Sequence, residues 1–392
     1  MKEIRLSCEV ITPLFMGGAN MEPEIRTQSI NGVVRWWFRT LGGSKEEEKK
    51  LFGWTGQESK KGAVKFVVCK EPYNSRDIQS CLDSSKNGLN YLAFSLKRQN
   101  RQCLYVGYKF DLRIIFSTIL EEKEKKKFLG ALWCAFYLGN FGSRARRGFG
   151  SIMVREISGD FDNFISFAPE GNIKGWLTSN YEKIRGLFEK PKENNEKSKE
   201  NNIEIYIFEK LDNIINEWIK EVQKERNGKY LARNYNPQGV NPAFDRLVGL
   251  YNWRDLLDLM GFTLMAYRSY LDPDYTNAKA IIQGRPNNNI IKRAIFGLPL
   301  NFHFSSIKQG NNRGTVFPVK GGEKLRRASP LIYKVIKNEE KLEGLIIFVM
   351  DKFLPDDVDL ELNGVKLQKP DYTLIKYYLQ RLQDKKIIGR LI

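Results

Sequence analysis

One histidine, His303, serves a chain of 392 residues. That scarcity closes most routes to nucleophilic and general acid–base catalysis, since no Ser-His-Asp or Cys-His arrangement can be built except through this one ring. It lies in the alternating stretch "NFHF", where a lone imidazole is more often structural than reactive. Cysteine is sparse too. Cys8, Cys69, Cys81, Cys103 and Cys134 are scattered, odd in number and free of any C-x-x-C pair. That argues against a zinc ribbon and against a secreted disulfide framework. The acidic clusters "LDPDYTN" and "PDDVDLELNG" lack the glycine and terminal glutamate of a calcium loop. No G-x-x-x-x-G-K-[ST] or G-x-G-x-x-G is present, so nucleotide hydrolysis is a poor reading. The longest apolar stretch, "FLGALWCAFYLG", is too short to span a bilayer. The opening "MKEIRLSCEV" alternates, carries charges and does not read as a signal peptide. A soluble, cytoplasmic chain with no metal and no cofactor is expected.

Positive charge is what the chain has in excess. Lys and Arg number 64 against 46 Asp and Glu, a formal net charge of +18 and a pI near 9.5. Such an imbalance points to a polyanionic partner: nucleic acid, or less often an anionic membrane surface. Solvation by surface lysines is the bland alternative. With 42% hydrophobic residues, including 24 Phe, 17 Tyr and 7 Trp, the chain can bury a core in each of two domains.

The first half reads as alternating strands and helices. "IRLSCEVIT" puts Ile4, Leu6, Cys8 and Val10 on one face of a strand. "SINGVVRWWFRTLGG" has helical spacing, with Ser29 as a cap and Gly42 as a stop. Strands follow near Val64–Cys69 and, by the alternation of Tyr108, Phe110, Leu112, Ile114 and Phe116, over 108–116. "EEKEKKKFLGALWCAFYLG" is a helix with Leu129, Leu132, Trp133 and Phe136 inward, and "SIMVREI" is a fourth strand. The order β-α-β-β-α-β predicts a ferredoxin-like unit over 1–158, with two helices on one sheet face and the other face free for ligands, as in RNA-recognition (RRM-like) domains.

Residues 159–280 predict a mainly helical connector. It holds a polar, low-complexity segment near 189–202, read as a flexible surface insertion, and an amphipathic helix with Ile207, Leu211, Ile214, Ile215 and Trp218 on one side. Residues 281–392 look like a second copy of the unit. "NNIIKRAIFG" is a predicted helix, "LPLNFHF", "SPLIYKVIK" and "EGLIIFVM" are predicted strands, and "DYTLIKYYLQRLQ" is a helix capped by Asp371. The first strand of this copy is open between "NIEIYIF" and "FTLMAYRSY". The expected class is α+β: two ferredoxin-like βαββαβ domains separated by a helical and flexible insertion.

Two constellations carry candidate chemistry. "GSRARRGFGS" follows a helix and leads into a strand. Its glycines allow positive φ and close approach of a ligand, and Arg144, Arg146 and Arg147 offer planar forks for phosphate. Phe149 can stack on a base or pack inward to support the loop. On the first helix, Gly32, Arg35, Trp36 and Arg39 lie away from Val34, Trp37 and Leu41. Arg35 and Arg39 share a face and suit either a ligand or carboxylates such as Glu22 or Glu24. The preceding Gly-Gly loop brings in Arg26.

"ITPLFMGGAN", "RTQSINGVVRWWFRTLGG" and "GSRARRGFGS" together resemble the RAMP superfamily of CRISPR-associated proteins, whose signature is the glycine-rich loop after the second helix. With "FGLPLNF" and "RRASPLIYKV" the chain is similar to the family of first RAMP subunits of the type III-B (Cmr) effector complex. The likeness is strongest over 4–41 and 139–157, weaker over 293–304 and 325–336, and missing over 160–280. It implies two ferredoxin-like domains, assembly with other RAMP subunits, and contact with crRNA or target RNA near the end distal to the crRNA 5′ handle. It also implies a binder, with cleavage left to another subunit.

The expected RNA-binding residues are therefore Arg144, Arg146, Arg147, Gly148, Phe149 and Gly150, then Arg35, Trp36, Arg39 and Arg26, and in the last third Arg293, Arg326 and Arg327. A metal-independent endoribonuclease, using His303 or the arginines and lysines to assist attack by a 2′-hydroxyl, and a stand-alone single-stranded RNA-binding protein are the rival readings.

Overall fold

The computed structural model describes residues 2–18, 20, 22–56, 59–70, 75–82, 86–189, 203–209, 252–268, 273–285, 288–308, 310–339 and 341–392. The first part of the chain runs β1 (Lys2–Val10), α1 (Thr27–Thr40), α2 (Lys45–Phe52) and β2 (Val64–Lys70). An excursion follows through β3 (Arg76–Asp77), α3 (Ile78–Cys81), α4 (Asn87–Arg98) and β4 (Gln102–Cys103), before β5 (Lys109–Phe116), α5 (Glu122–Tyr137) and β6 (Ile152–Gly159). These strands form an antiparallel sheet in the order β2-β5-β1-β6. Ile4, Leu6, Cys8 and Val10 are buried beneath the helices as their alternation predicts. Helix α1 starts at Thr27, ahead of Ser29, and Arg26 precedes it with no side-chain cap. Helix α5 is buried all round from Phe128 to Tyr137, because α6 (Ile173–Phe188) covers its outer side, with Trp176 against Trp133 and Tyr137.

The opposite face of this sheet differs from the expected stacking platform. It holds ion pairs in place of aromatic rings: Arg5 with Asp111, Arg113 with Glu3, and Arg155 with Glu9. These three cations are matched by carboxylates across the strands, so that part of the face is no stacking platform, while Lys65 and Lys109 on the same side are exposed and keep positive charge there.

The second part begins with β7 (Ile203–Phe208), which resolves the open first strand in favour of "NIEIYIF". Ile207 therefore lies in a strand and not in the predicted amphipathic helix. Leu211, Ile214, Ile215, Trp218 and most of the 189–202 segment fall outside the described residues. Next come α7 (Trp253–Arg268), which takes "FTLMAYRSY" up to Arg268, and α8 (Asp274–Ile282). "NNIIKRAIFG" yields only a 3-10 turn over Lys292–Phe296. Its start is fixed by Asp274, whose carboxylate accepts the Lys292 and Arg293 N–H groups at 2.8 and 2.6 Å, and Gly297 ends it.

Strands β8 (Leu300–His303), β9 (Arg313–Lys320) and β10 (Glu323–Lys324) precede β11 (Leu331–Asn338) and β12 (Lys341–Val349). The chain ends with β13 (Asp359–Leu362), β14 (Val365–Leu367), α9 (Thr373–Asp384) and β15 (Ile388–Arg390). Strand β7 joins a sheet of order β11-β12-β7-β15, in which the sequence order second-third-first-fourth repeats that of the first sheet. "LPLNFHF" does not belong to it. Strand β8 pairs with β9 in a separate sheet with β10, β13 and β14. The supposed acidic cluster "PDDVDLELNG" supplies β13 and the β13–β14 turn, where Asn363 and Gly364 both take positive φ, the signature of an Asn-Gly hairpin.

The β11-β12-β7-β15 sheet is buried on both faces. Ile203, Ile205, Ile207, Ile332, Ile336 and Ile347 join the core of the first part. Tyr206, Phe208, Leu331, Tyr333, Val335 and Phe348 join a second core with α4, α7 and α9. The long apolar reading of "SPLIYKVIK" is that of a strand covered on both sides. This sheet lies against the glycine-arginine loop.

Candidate nucleic-acid interface

The loop between α5 and β6 packs on the chain itself. Gly142, Gly148 and Gly150 have φ of 78°, 84° and 76°. A Cβ at Gly150 would sit 1.9 Å from the Phe141 carbonyl oxygen, and one at Gly148 would sit 2.3 Å from Leu257 of α7. The close approach foreseen for a ligand is thus made by protein atoms. The Gly150 N–H donates to the Pro13 carbonyl at 3.0 Å, Ser143 to that of Phe15 at 2.8 Å, and the Thr12 hydroxyl to that of Gly148 at 2.7 Å. "ITPLFMGGAN" and "GSRARRGFGS" are therefore one structural unit.

That unit docks on β11. The buried Asn140 amide donates to the Ala145 and Tyr333 carbonyls at 2.5 and 2.8 Å and accepts from the Ser151 hydroxyl at 2.6 Å. The Arg146 guanidinium donates to the Ser329 carbonyl at 2.6 Å and stacks over Trp36 at 4.5 Å. Phe149 is fully buried, edge-on to Phe15 at 5.7 Å, so it supports the loop and has no free face for a base. A phenylalanine flanked by two glycines has no Cβ neighbours to hold it outward, and the apolar wall of Phe15 takes it in.

The arginines divide by what they touch. Burial lowers Arg146 and Arg147 to about 10, and neighbouring arginines add to the effect: Arg327 and Arg147 on Arg146, Arg268 and Arg144 on Arg147. Both remain cationic at neutral pH. Burial also lowers Arg144, which adopts a left-handed φ of 61°. Arg35 and Arg39 meet a carboxylate, but it is that of Glu48 on α2, not Glu22 or Glu24. Arg26 reaches Glu24 at 3.6 Å and the Gly17 carbonyl at 3.2 Å.

In the last third, Arg327 is a structural clamp, donating to the Phe353 carbonyl and to the Tyr372 hydroxyl. Arg293 lies beside Asp274 at 3.7 Å, donates to the Arg268 carbonyl and covers Phe302. Arg326 is exposed. His303 is exposed in β8, paired across the sheet with Arg313.

Residues that the sequence reading passed over complete a second feature. Arg35, Arg39, Lys45, Glu48, Lys49 and Trp54 line an open cleft of about 380 Å³. Trp54 is 39% exposed, with the Lys45 and Lys49 amines 5.9 and 5.6 Å from its ring centre. Four cations meet two carboxylates here, Glu48 beside Arg35 and Arg39 and the exposed Glu46 2.9 Å from Lys49, so positive charge remains in excess. The available signal was a tryptophan in a Gly-flanked turn, "FGWTG", directly after a lysine-rich helix. Arg268 and Tyr91 were also passed over. They sit on α7 and α4 and meet at 2.8 Å.

Among the described residues no helix is long and apolar enough to cross a membrane. The profile of the RAMP superfamily matches residues 7–153. The Cmr subunit Cmr1-2 of the CRISPR system of Pyrococcus furiosus is 36% identical over 184 residues, which is 40% of this chain and 97% of that protein. Cmr1-1 of the same organism is 30% identical over 162 residues, 38% of this chain and 46% of that protein. The crystal structure of Cmr1 from Pyrococcus furiosus in its apo form superposes over 100% of this chain and 99% of that one, with a TM-score of 0.55 at 18% identity. The two share a fold: mixed α/β with several antiparallel sheets. By its sequence likeness along the whole length of a curated relative, this chain belongs to the RAMP superfamily, in the Cmr1 family of CRISPR Cmr subunits.

Proposed function

We propose that the chain is a non-catalytic RNA-binding subunit of a type III-B CRISPR effector complex, contacting crRNA or its target beside other RAMP subunits. Its two sheets of like strand order are two ferredoxin-like units, the second taking its first strand from the connector. The observation that carries the reading is the cleft between α1 and α2. Single strands are held by an aromatic face for bases and a row of cations for phosphates. Trp54 with Lys45, Lys49, Arg35 and Arg39 supplies both in one place. Glu48 orients the two arginines without cancelling the excess charge. The net charge of +18 and the family relationship support the same reading.

Single-stranded RNA is expected to bind with a log–log salt slope of about −0.7 per neutralised phosphate and with little sequence preference. Trp54→Ala should weaken it by about 1–3 kcal/mol, since stacking of one base is worth that much, with an unchanged melting temperature. Fluorescence anisotropy across a salt series checks both. Affinity that stays flat from low to physiological salt, or a Trp54→Ala variant that binds like the parent, overturns the reading.

RNA should also remain intact during incubation, with EDTA or with divalent metal. The single imidazole, His303, stands on an exposed strand away from the cleft residues in sequence and element. Specific products that vanish in a His303→Ala variant would establish the endoribonuclease instead.

A further inference from the structure

We propose that Arg147 and Arg268 form a binding site for one phosphate group at the seam between the glycine-arginine loop and α7. The inference deepens the RNA-binding reading and rests on it for the source of the phosphate. Arg147 comes from the loop and Arg268 from the last turn of α7, and each keeps part of its surface in solvent. Among the described residues neither forms an ion pair. The Arg147 Nη1 and Arg268 Nε groups are buried and lack any hydrogen-bond acceptor. Arg268 spends one Nη1 bond on the Tyr91 hydroxyl at 2.8 Å. Arg144, one turn of the loop away, brings a third guanidinium toward the same place, and the Tyr333 hydroxyl lies beside Arg147.

Like charges gathered in a low-dielectric seam with unmade N–H bonds are costly until an anion arrives. Arg147 stays protonated at neutral pH, with burial and then Arg268 lowering it only to about 10, so the charge cannot be shed. Guanidinium forks arriving from separate elements suit an anion with several oxygens in different directions. A tetrahedral phosphate provides that, whereas a carboxylate has only two oxygens, with their lone pairs in one plane. The phosphate is either a diester of an RNA strand or a free phosphate ion, and the same variants separate these sources.

The test uses the full chain, Arg268→Met, Arg268→Lys, Tyr91→Phe and, as a control, Arg185→Met, which breaks only an exposed pair with Glu189. Each is melted with and without inorganic phosphate and titrated with an oligouridine RNA. In anion-free buffer Arg268→Met should melt no lower than the parent, because an orphaned charge has been removed. Phosphate should stabilise the parent and Arg185→Met but not Arg268→Met. RNA affinity should fall about ten- to a hundred-fold in Arg268→Met, the equivalent of one charge-assisted bond. It should fall less in Arg268→Lys and Tyr91→Phe.

If phosphate protects the parent selectively but the parent does not bind RNA, the site stands with free phosphate as its ligand and the RNA reading falls. If the parent binds RNA, and Arg268→Met matches it in both RNA affinity and phosphate response, the site is refuted while the RNA reading stands. An Arg268→Met protein that melts well below the parent without anion also refutes it, since Arg268 would then be a structural prop.

Discussion

Gly150→Ala should lose about 4 kcal/mol of stability, a loss at the edge of what single substitutions cause. Two terms add. An alanine forced to a φ of 76° costs about 1–2 kcal/mol. Its Cβ would also stand 1.9 Å from the Phe141 carbonyl oxygen, a backbone atom held by the very turn that Gly150 closes, with the Phe141 N–H bonded to the Gly150 carbonyl at 3.0 Å. Neither partner can retreat without opening the contact to Pro13. Gly107→Ala separates the terms: its φ is 86°, but nothing lies within 4 Å of the added carbon. That variant should lose only the conformational part. Urea midpoints for the two proteins check the expectation, and equal losses would show that the close approach carries no weight. The same packing tells how to read a triple alanine variant at Arg144, Arg146 and Arg147. Arg146 holds the Ser329 carbonyl and covers Trp36, so its removal should lower the melting temperature as well as RNA affinity.

Asp258→Asn should flatten the pH dependence of stability between about pH 4 and pH 7. Asp258, on α7, is buried and accepts the Leu89 N–H at the start of α4 at 2.9 Å. It joins the two helices that carry Arg268 and Tyr91. Burial raises its carboxyl from 3.8 to about 6, and the bond from Leu89 and the nearby Lys86 only partly offset this. The folded state therefore binds the proton more tightly than the unfolded chain. The contribution is fully present below about pH 4 and is lost as pH rises through about 6, by about 3 kcal/mol in all. Asparagine keeps a carbonyl for Leu89 and has no proton to lose. The difference in unfolding free energy between parent and variant, followed from pH 4 to 7.5, should fall with pH by that amount. Curves that stay parallel would show that Asp258 does not titrate in this window.

Local pattern was enough for the first sheet. Ile4, Leu6, Cys8 and Val10 alternate because one face is covered and the other is wet, and that periodicity survives without knowing the cover. Family motifs and the net charge were likewise legible, since both are properties of the string. Strand β7 was harder. Buried on both faces, "NIEIYIF" loses the alternation that distinguishes strand from helix, and only its pairing with β12 and β15 decides it. The segment 292–296 stops at a single 3-10 turn because Gly297, at a φ of 122°, ends it, and its start is capped by Asp274, too far along the chain for a local window to see.

The candidate site shows the same division more sharply. Sequence placed three arginines and a phenylalanine in a glycine loop, and their residue types were informative about phosphate and bases. It could not say which way each side chain turns. Phe149 goes inward onto Phe15, Arg146 is spent on Ser329 and Trp36, Arg327 on Phe353 and Tyr372, and Arg35 on Glu48. Arg147 is left facing Arg268, from a helix more than a hundred residues away. The composition by itself determined that this protein carries an excess of positive charge. Which cations remain unneutralised is a sum over neighbours from distant segments, and that sum exists only once β11, α4 and α7 have closed around the loop.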